Sequence, residues 1–411
     1  MRISKLLLPA ATACALLGAC QQSGYIAEVK DLQLVRMDPA TGYSGAIVKV
    51  LGRNFSTKAS DNVVTVGDKR AKVLDATAWD LTIQLPEQEP GIYTVSVQTP
   101  KGTQSGLSFE YKFKPEHVYI ASVFAGNGKN ANLDGIGTSA GIAQPEGIIP
   151  DGDGAYYLLI RGANNLALRK FDKFGQVSTI TTSGDAWALP WQGAMGPGGN
   201  LYVAFKANGQ MAKVSPKGEV KVLGGFALTG PMGCDFDTEG NGYLADRDHK
   251  LGDSKGQVVK FKDDAPVAAW PVNTATCVAV DSKDRVIVGS QTAGVLYMLE
   301  KDGSPVAIAG DGTKPSSKNS YSDGEYGSPL TAKIGCVNGI YVATDGALYF
   351  TDITYQTVRR LSPDSDGDYS KGVLETIAEG FYPSDIVVTD DCSKIYVSSA
   401  TKYAIYLIEV I

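Results

Sequence analysis

The strongest constraint on this chain is a unit that recurs along its C-terminal two-thirds, because a repeated supersecondary unit has to bury its apolar faces against copies of itself. The clearest copy runs Asn338-Gly339-Ile340-Tyr341-Val342-Ala343-Thr344-Asp345-Gly346-Ala347-Leu348-Tyr349-Phe350-Thr351-Asp352, followed by a turn and Val358-Arg359-Arg360-Leu361. It reads as strand, Asp-Gly turn, strand, loop, strand. Worn copies begin near Pro145, Gly193, Met232, Cys277 and Ser384, with second strands at 156–158, 201–204, 242–245, 286–288 and 395–397. A fourth, outer strand links successive units at 177–180, 220–223, 267–270, 306–309 and 374–377. The outer strand still missing is found ahead of the first unit, at Tyr119–Gly126, where it can pair with the last strand, Ala404–Ile408. Such closure removes the free sheet edges. The expectation is a six-bladed β-propeller over residues 117–411.

Residues 29–113 show short alternating strands at 46–50, 63–66, 81–85 and 93–97, spacing that suits a small β-sandwich. Pro39, Gly45, Leu51-Gly52-Arg53-Asn54-Phe55, Val66-Gly67, Ala71, Pro86, Pro90-Gly91-Ile92-Tyr93 and Phe109-Glu110-Tyr111 together resemble the IPT/TIG family of immunoglobulin-like domains. That resemblance implies a spacer or interaction module, so no site is assigned there, and Trp79 is expected to pack rather than meet a ligand. The repeats from 118 to 411 resemble the NHL family. Two longer matches carry this: Phe124-Ala125-Gly126-Asn127-Gly128 with Asp134-Gly135 and Ala140, and Ile308-Ala309-Gly310-Asp311-Gly312 with Asp323-Gly324 and Ala332. The chain is therefore expected to be all-β, an immunoglobulin-like β-sandwich followed by a six-bladed β-propeller.

The N-terminus reads as a targeting segment. Arg2 and Lys5 precede an apolar run from Leu6 to Leu17, too short to span a bilayer. It ends Leu17-Gly18-Ala19-Cys20, which resembles the bacterial lipobox. The resemblance implies a signal peptide over 1–19, a lipidated Cys20 and a tether to residue 28. Gln21 after the cysteine, in place of an aspartate, favours the outer membrane. Whether the protein faces the periplasm or the cell surface is open, as is the alternative of a plain secretory signal.

The formal charge of −6 comes without a basic tract, so nucleic acid is not an expected partner and membrane contact is expected through the lipid alone. His117 and His249 are the only histidines, which counts against imidazole bases and histidine metal clusters. No cofactor, metal or catalytic residue is assigned. Cys234, Cys277, Cys336 and Cys392 lack zinc or redox spacing and read as buried thiols, with one disulfide left open. Asp364-Ser365-Asp366-Gly367-Asp368 has calcium-loop-like carboxylates but no closing glutamate and reads as an acidic turn.

In a propeller, the loops leading into each inner strand and those between strands two and three share one face. That face is expected to gather Trp187, Trp191 and Trp270, the long loops 127–144 and 311–335 with Tyr321 and Tyr326, and Arg161, Asn164, Lys206, Asp246, Arg247, His249, Gln291, Asp352, Tyr355 and Tyr382. Flat aromatic faces rimmed by amide, acid and guanidinium groups suit carbohydrate. Tryptophans wedged between blades, and acids that anchor turns, are the structural alternative. The foremost functional expectation is capture of a glycan by an envelope lipoprotein, since pairings of IPT/TIG and NHL modules resemble those of glycan-foraging bacteria. A protein–protein scaffold in an envelope complex comes second. A propeller lyase or lactone hydrolase with a channel metal comes third, because the histidine-rich sites of those families have no counterpart here.

Overall fold

A computed structural model describes residues 31–112, 117–162, 166–182, 189–313 and 320–411. The chain divides into two units, Met1–Lys114 and Pro115–Ile411. The expected signal peptide, Cys20 and the joining residues 113–116 lie outside the described residues.

The first unit is a β-sandwich built on period-two alternation. Strands Gln33–Asp38, Ile47–Arg53, Asp80–Gln84 and Lys69–Ala76 follow one another in one sheet. The other contains Val63–Val66, Gly91–Thr99 and Gly102–Tyr111, and Lys69–Ala76 also pairs with Val63–Val66 to join the two. Alternate residues point inward, so Val48, Val50, Val64, Val66, Leu81, Ile83, Val95 and Val97 make the core. Trp79 is a correction: it is 63% exposed, with the Arg53 guanidinium 5.8 Å from its ring centroid, and so contributes little to packing.

The second unit is the propeller. Five blades run in chain order, with inner strands Pro145–Pro150, Pro190–Gly196, Pro231–Phe236, Ala275–Val280 and Val337–Val342. The sixth combines Ile386–Val388, Lys394–Ser399 and Ala404–Val410 with Tyr119–Ala125, the register running from Ile405 against Ala125 to Val410 against Tyr119. Val118 and Ile411 exchange both backbone hydrogen bonds at 2.9 Å, so the ring is closed by main-chain pairing to its last residue. Across this seam Phe124, Tyr156, Phe171 and Tyr396 pack ring against ring at 5.0–6.2 Å between centroids.

The recurring aspartate of the strand–turn–strand unit has a local cause. Asp151, Asp237, Asp281 and Asp345 each accept backbone N–H bonds from their own turn, a side-chain substitute for turn pairing. The acidic segment 364–368 does the same: Asp364 Oδ1 accepts from the amides of Asp366 and Asp368. In the five blades formed in chain order the inner strand opens with a register shift, as between Pro190 and Gly193. Gly193 permits this because a Cβ there would lie 2.0 Å from the Tyr202 carbonyl oxygen.

The two long glycine-containing matches prove to be the same device. Asp134 pairs with Arg169 at 2.8 Å and Asp323 with Arg359 at 2.7 Å, both arginines being 0% exposed on the third strand of the following blade. The same carboxylates accept from Thr179 Oγ1 at 2.7 Å and Thr376 Oγ1 at 2.8 Å, on the fourth strand. Gly126, Gly128, Gly310 and Gly312 have positive φ and turn the chain so that the loop can return over the blade. These loops thus staple the outer halves of blades 1 and 5, whereas the expectation had placed them around a ligand.

Candidate functional site

Inner strands begin, and second strands end, at one face of the ring: Pro145 pairs with Ile160, Pro190 with Phe205, Pro231 with Asp246, Ala275 with Ser290 and Val337 with Asp352. Side chains at those positions therefore meet at one mouth of the central channel.

A polar belt lies just inside it. Glu146, 2% exposed on the inner strand of blade 1, is ion-paired to Arg161 and accepts from Asn338 Nδ2 of blade 5 at 3.0 Å. Asn338 Nδ2 also donates to the Ser384 carbonyl at 2.7 Å, and Gln192 Nε2 of blade 2 donates to the Asn338 carbonyl at 2.8 Å. Four blades are thus tied across the axis. Burial pushes the Glu146 carboxyl up, while the Arg161 charge beside it works in the opposite direction.

Above the belt is a cluster of cations around one indole. Lys206 Nζ sits 3.8 Å from the Trp191 ring centroid and the Arg161 guanidinium 4.7 Å from it. Among the described residues, the buried Trp191 indole N–H has no hydrogen-bond partner. Burial first, and then the Arg247 guanidinium, push the Lys206 amine down to about 8, with Asp248 and Glu146 pulling the other way. Arg247 is ion-paired to Asp248, whose carboxylate also meets Lys255 at 3.4 Å.

Below the belt the channel opens into a cavity of about 450 Å³ lined by the inner strands of all six blades. Asp235 of blade 3 accepts from the Val280 amide of blade 4, and Asp385 of blade 6 from the Ile148 amide of blade 1. Burial pushes these carboxyls up to about 6 and about 8 respectively. Cys234 and Cys277 also line this cavity, and with Cys336 they are buried free thiols; Cys392 is free and half-buried. Among the described residues, no group of three or more His, Cys, Asp or Glu gathers in a way that could hold a metal ion.

Of the residues expected on one face, Arg161, Trp191, Lys206, Arg247 and Tyr382 come together at the mouth, Tyr382 lying within electrostatic range of Glu146 and Arg161. Trp187 and Asn164 lie outside the described residues. Trp270 is a correction: it belongs to the outer strand Ala265–Pro271 and wedges between blades, stacked on Tyr243 and closed over Gly303, where a Cβ would lie 2.0 Å from its ring. Asp246 and Asp352 are 0% exposed turn anchors, taking amides from Thr229 and Gly230 and from Gly335, Thr354 and Tyr355. His249 stands beside this anchor, its Nδ1 3.3 Å from Thr229 Oγ1 and 3.8 Å from Asp246. Tyr355 is buried and packs on Tyr321, whose hydroxyl donates to Glu379 on the outer strand of blade 5 at 2.7 Å. That pair therefore sits over the outer half of its blade. Tyr326 is 50% exposed on the same loop, and Gln291 is held by its backbone N–H, which donates to the Thr274 carbonyl.

Glu146, Gln192 and Asn338 were not singled out from the sequence. A signal was present: Glu146-Gly147, Gln192-Gly193 and Asn338-Gly339 repeat a polar–glycine pair at the head of otherwise apolar inner strands.

The second unit is thus a six-bladed propeller whose channel mouth is both cationic and aromatic. Residues 32–111 match the IPT/TIG domain family, so the first unit is an IPT/TIG domain, followed by a six-bladed propeller. Two solved structures described as auxiliary nutrient binding proteins share the fold. The one from Bacteroides ovatus ATCC 8483 has 18% identity and a TM-score of 0.54, over 93% of this chain and 98% of the other. The one from Bacteroides thetaiotaomicron VPI-5482 has 15% identity and a TM-score of 0.55, over 92% and 98%. A putative gluconolactonase is similar at 13% identity and a TM-score of 0.50, over 72% and 93%. At such identities the likeness is one of fold. No curated protein sequence matches the chain.

Proposed function

We propose that this protein is a non-catalytic binding protein of the bacterial envelope, held by lipid at Cys20, which captures a nutrient glycan at the propeller mouth. One observation carries the reading: Trp191, Arg161, Lys206 and Arg247 converge at the mouth over a buried belt of Glu146, Gln192 and Asn338, a mixed aromatic and hydrogen-bonding surface suited to sugars. Solved structures of the same fold described as nutrient binding proteins support it.

The test is a glycan-binding screen of the full chain beside Trp191→Ala. Saccharide binding by the parent that a folded Trp191→Ala variant loses supports the reading. Binding to no saccharide overturns it and puts the protein-scaffold alternative first. Turnover of a bound saccharide or lactone overturns the non-catalytic part alone. Fatty-acid labelling that Cys20→Ser abolishes is expected of the anchor, and labelling that survives this change rules it out.

A further inference from the structure

Three cationic side chains converge at the mouth, and two already have carboxylates: Arg161 is paired with Glu146 and Arg247 with Asp248. Among the described residues Lys206 makes no ion pair and no hydrogen bond through its ammonium, which lies 3.8 Å from the centroid of the Trp191 ring. The protein thus holds a half-buried ammonium against an indole, within range of two guanidiniums, with its strongest donor unspent. Like charges gathered in a partly desolvated mouth are unfavourable until an anion arrives, and they then bind it more strongly than they would in open solvent.

We propose that the Lys206–Trp191–Arg247 corner is a subsite for the carboxylate of an acidic sugar, a uronic acid residue of the captured glycan. This rests on the glycan-capture reading and narrows its ligand class. Lys206 supplies the unpaired charge, and Trp191 fixes its direction. Arg247 adds a second positive field while remaining tied to Asp248. The polar belt beneath keeps the sugar ring out of the channel, because Glu146, Asn338 and Gln192 are already bonded to one another or to backbone across the axis.

Two ligand panels test the proposal on the full chain: oligosaccharides containing galacturonate, glucuronate or mannuronate, and the same compounds as carboxyl methyl esters. A sulfated neutral oligosaccharide is run beside them. The expected result is a preference of about tenfold or more for an acid over its ester, the scale of one charge-assisted hydrogen bond. Lys206→Gln should abolish that preference, whereas Lys206→Arg, which keeps the charge, should retain most of it. Melting curves confirm that each variant is folded. Equal affinity for acid and ester, or a preference that survives Lys206→Gln, overturns the acidic subsite and leaves glycan capture standing. Preference for the sulfated ligand alone overturns the uronate assignment. Binding to neutral glycans but to no uronate panel also overturns it, and binding to nothing removes both readings together.

Discussion

Asp323→Ala is the sharpest structural test. Arg359 is 0% exposed, and its ion-pair partner is Asp323 at 2.7 Å; the guanidinium also donates to the Ser322 carbonyl at 2.6 Å and the Lys333 carbonyl at 2.9 Å. Removing the carboxylate leaves a buried cation with backbone oxygens only. Breaking a buried pair costs about 3–5 kcal/mol. The Asp323 side chain is 35% exposed, so water recovers part of that loss, and ~2–3 kcal/mol is expected. The substitution also strips the Thr376 amide and hydroxyl of their acceptor. In a unit of this size the loss corresponds to roughly 3–5 °C in the propeller melting transition. Calorimetry of parent, Asp323→Ala, Arg359→Met and the double variant separates the causes. If the cost is an orphaned charge, the double variant melts above Asp323→Ala. Among the described residues Arg359 Nε already lacks a partner, so methionine there forfeits one bond fewer than the arginine could make. A single variant within about 1 °C of the parent, or a double variant melting below it, would refute the reasoning.

Four further outcomes are expected. The Asp385 carboxyl, pushed up to about 8 by burial, favours the folded state below its unfolded pKa near 4, and that contribution is lost as pH rises through 8. Asp385→Asn, which keeps an oxygen for the Ile148 amide, should therefore melt several degrees above the parent at pH 8 and close to it at pH 4, as thermal denaturation would show. Binding of an acidic ligand should weaken between pH 7 and 9 as Lys206 deprotonates near 8, and Lys206→Arg should flatten that titration in calorimetry. Iodoacetamide followed by peptide mapping should label Cys392 in the native protein before Cys234, Cys277 or Cys336, whose thiols are buried and pushed up by desolvation. Gly303→Ala should lower the melting temperature, since its φ of 86° disfavours alanine and its Cβ would strike Trp270.

The architecture was legible because short-range signals repeat: alternating strands, Asp-Gly turns and an outer strand displaced to the front of the ring. The mouth was legible only in part. Trp191, Arg161, Lys206, Arg247 and Tyr382 could be expected there from their places near inner-strand starts or second-strand ends, but the same position also gave Asp246, Asp352 and Tyr355, which serve turns and blade packing instead. Trp270 was misplaced because nearness to a strand end says nothing about which neighbour its ring meets, and Tyr243 and Gly303 decide that. The two glycine-rich matches showed their likeness but not their purpose, since each aspartate meets an arginine 35 or 36 residues further on. The cation cover on Trp191 is hidden for the same reason, because Arg161 and Lys206 follow the second strands of two different blades.

The exchange of hydrogen bonds between Val118 and Ile411 makes the starting point of the ring arbitrary. A short peptide joining those two residues, with new ends cut into the Asp345–Ala347 turn, should give a permuted chain that closes the same circle. What such a cut alters is the order of assembly. In the natural order the seam strands, Tyr119–Ala125 and Ala404–Val410, must find each other across nearly the whole unit. Permutation makes that pairing local and transfers the long search to blade 5, so folding should slow or quicken while the finished ring keeps its shape.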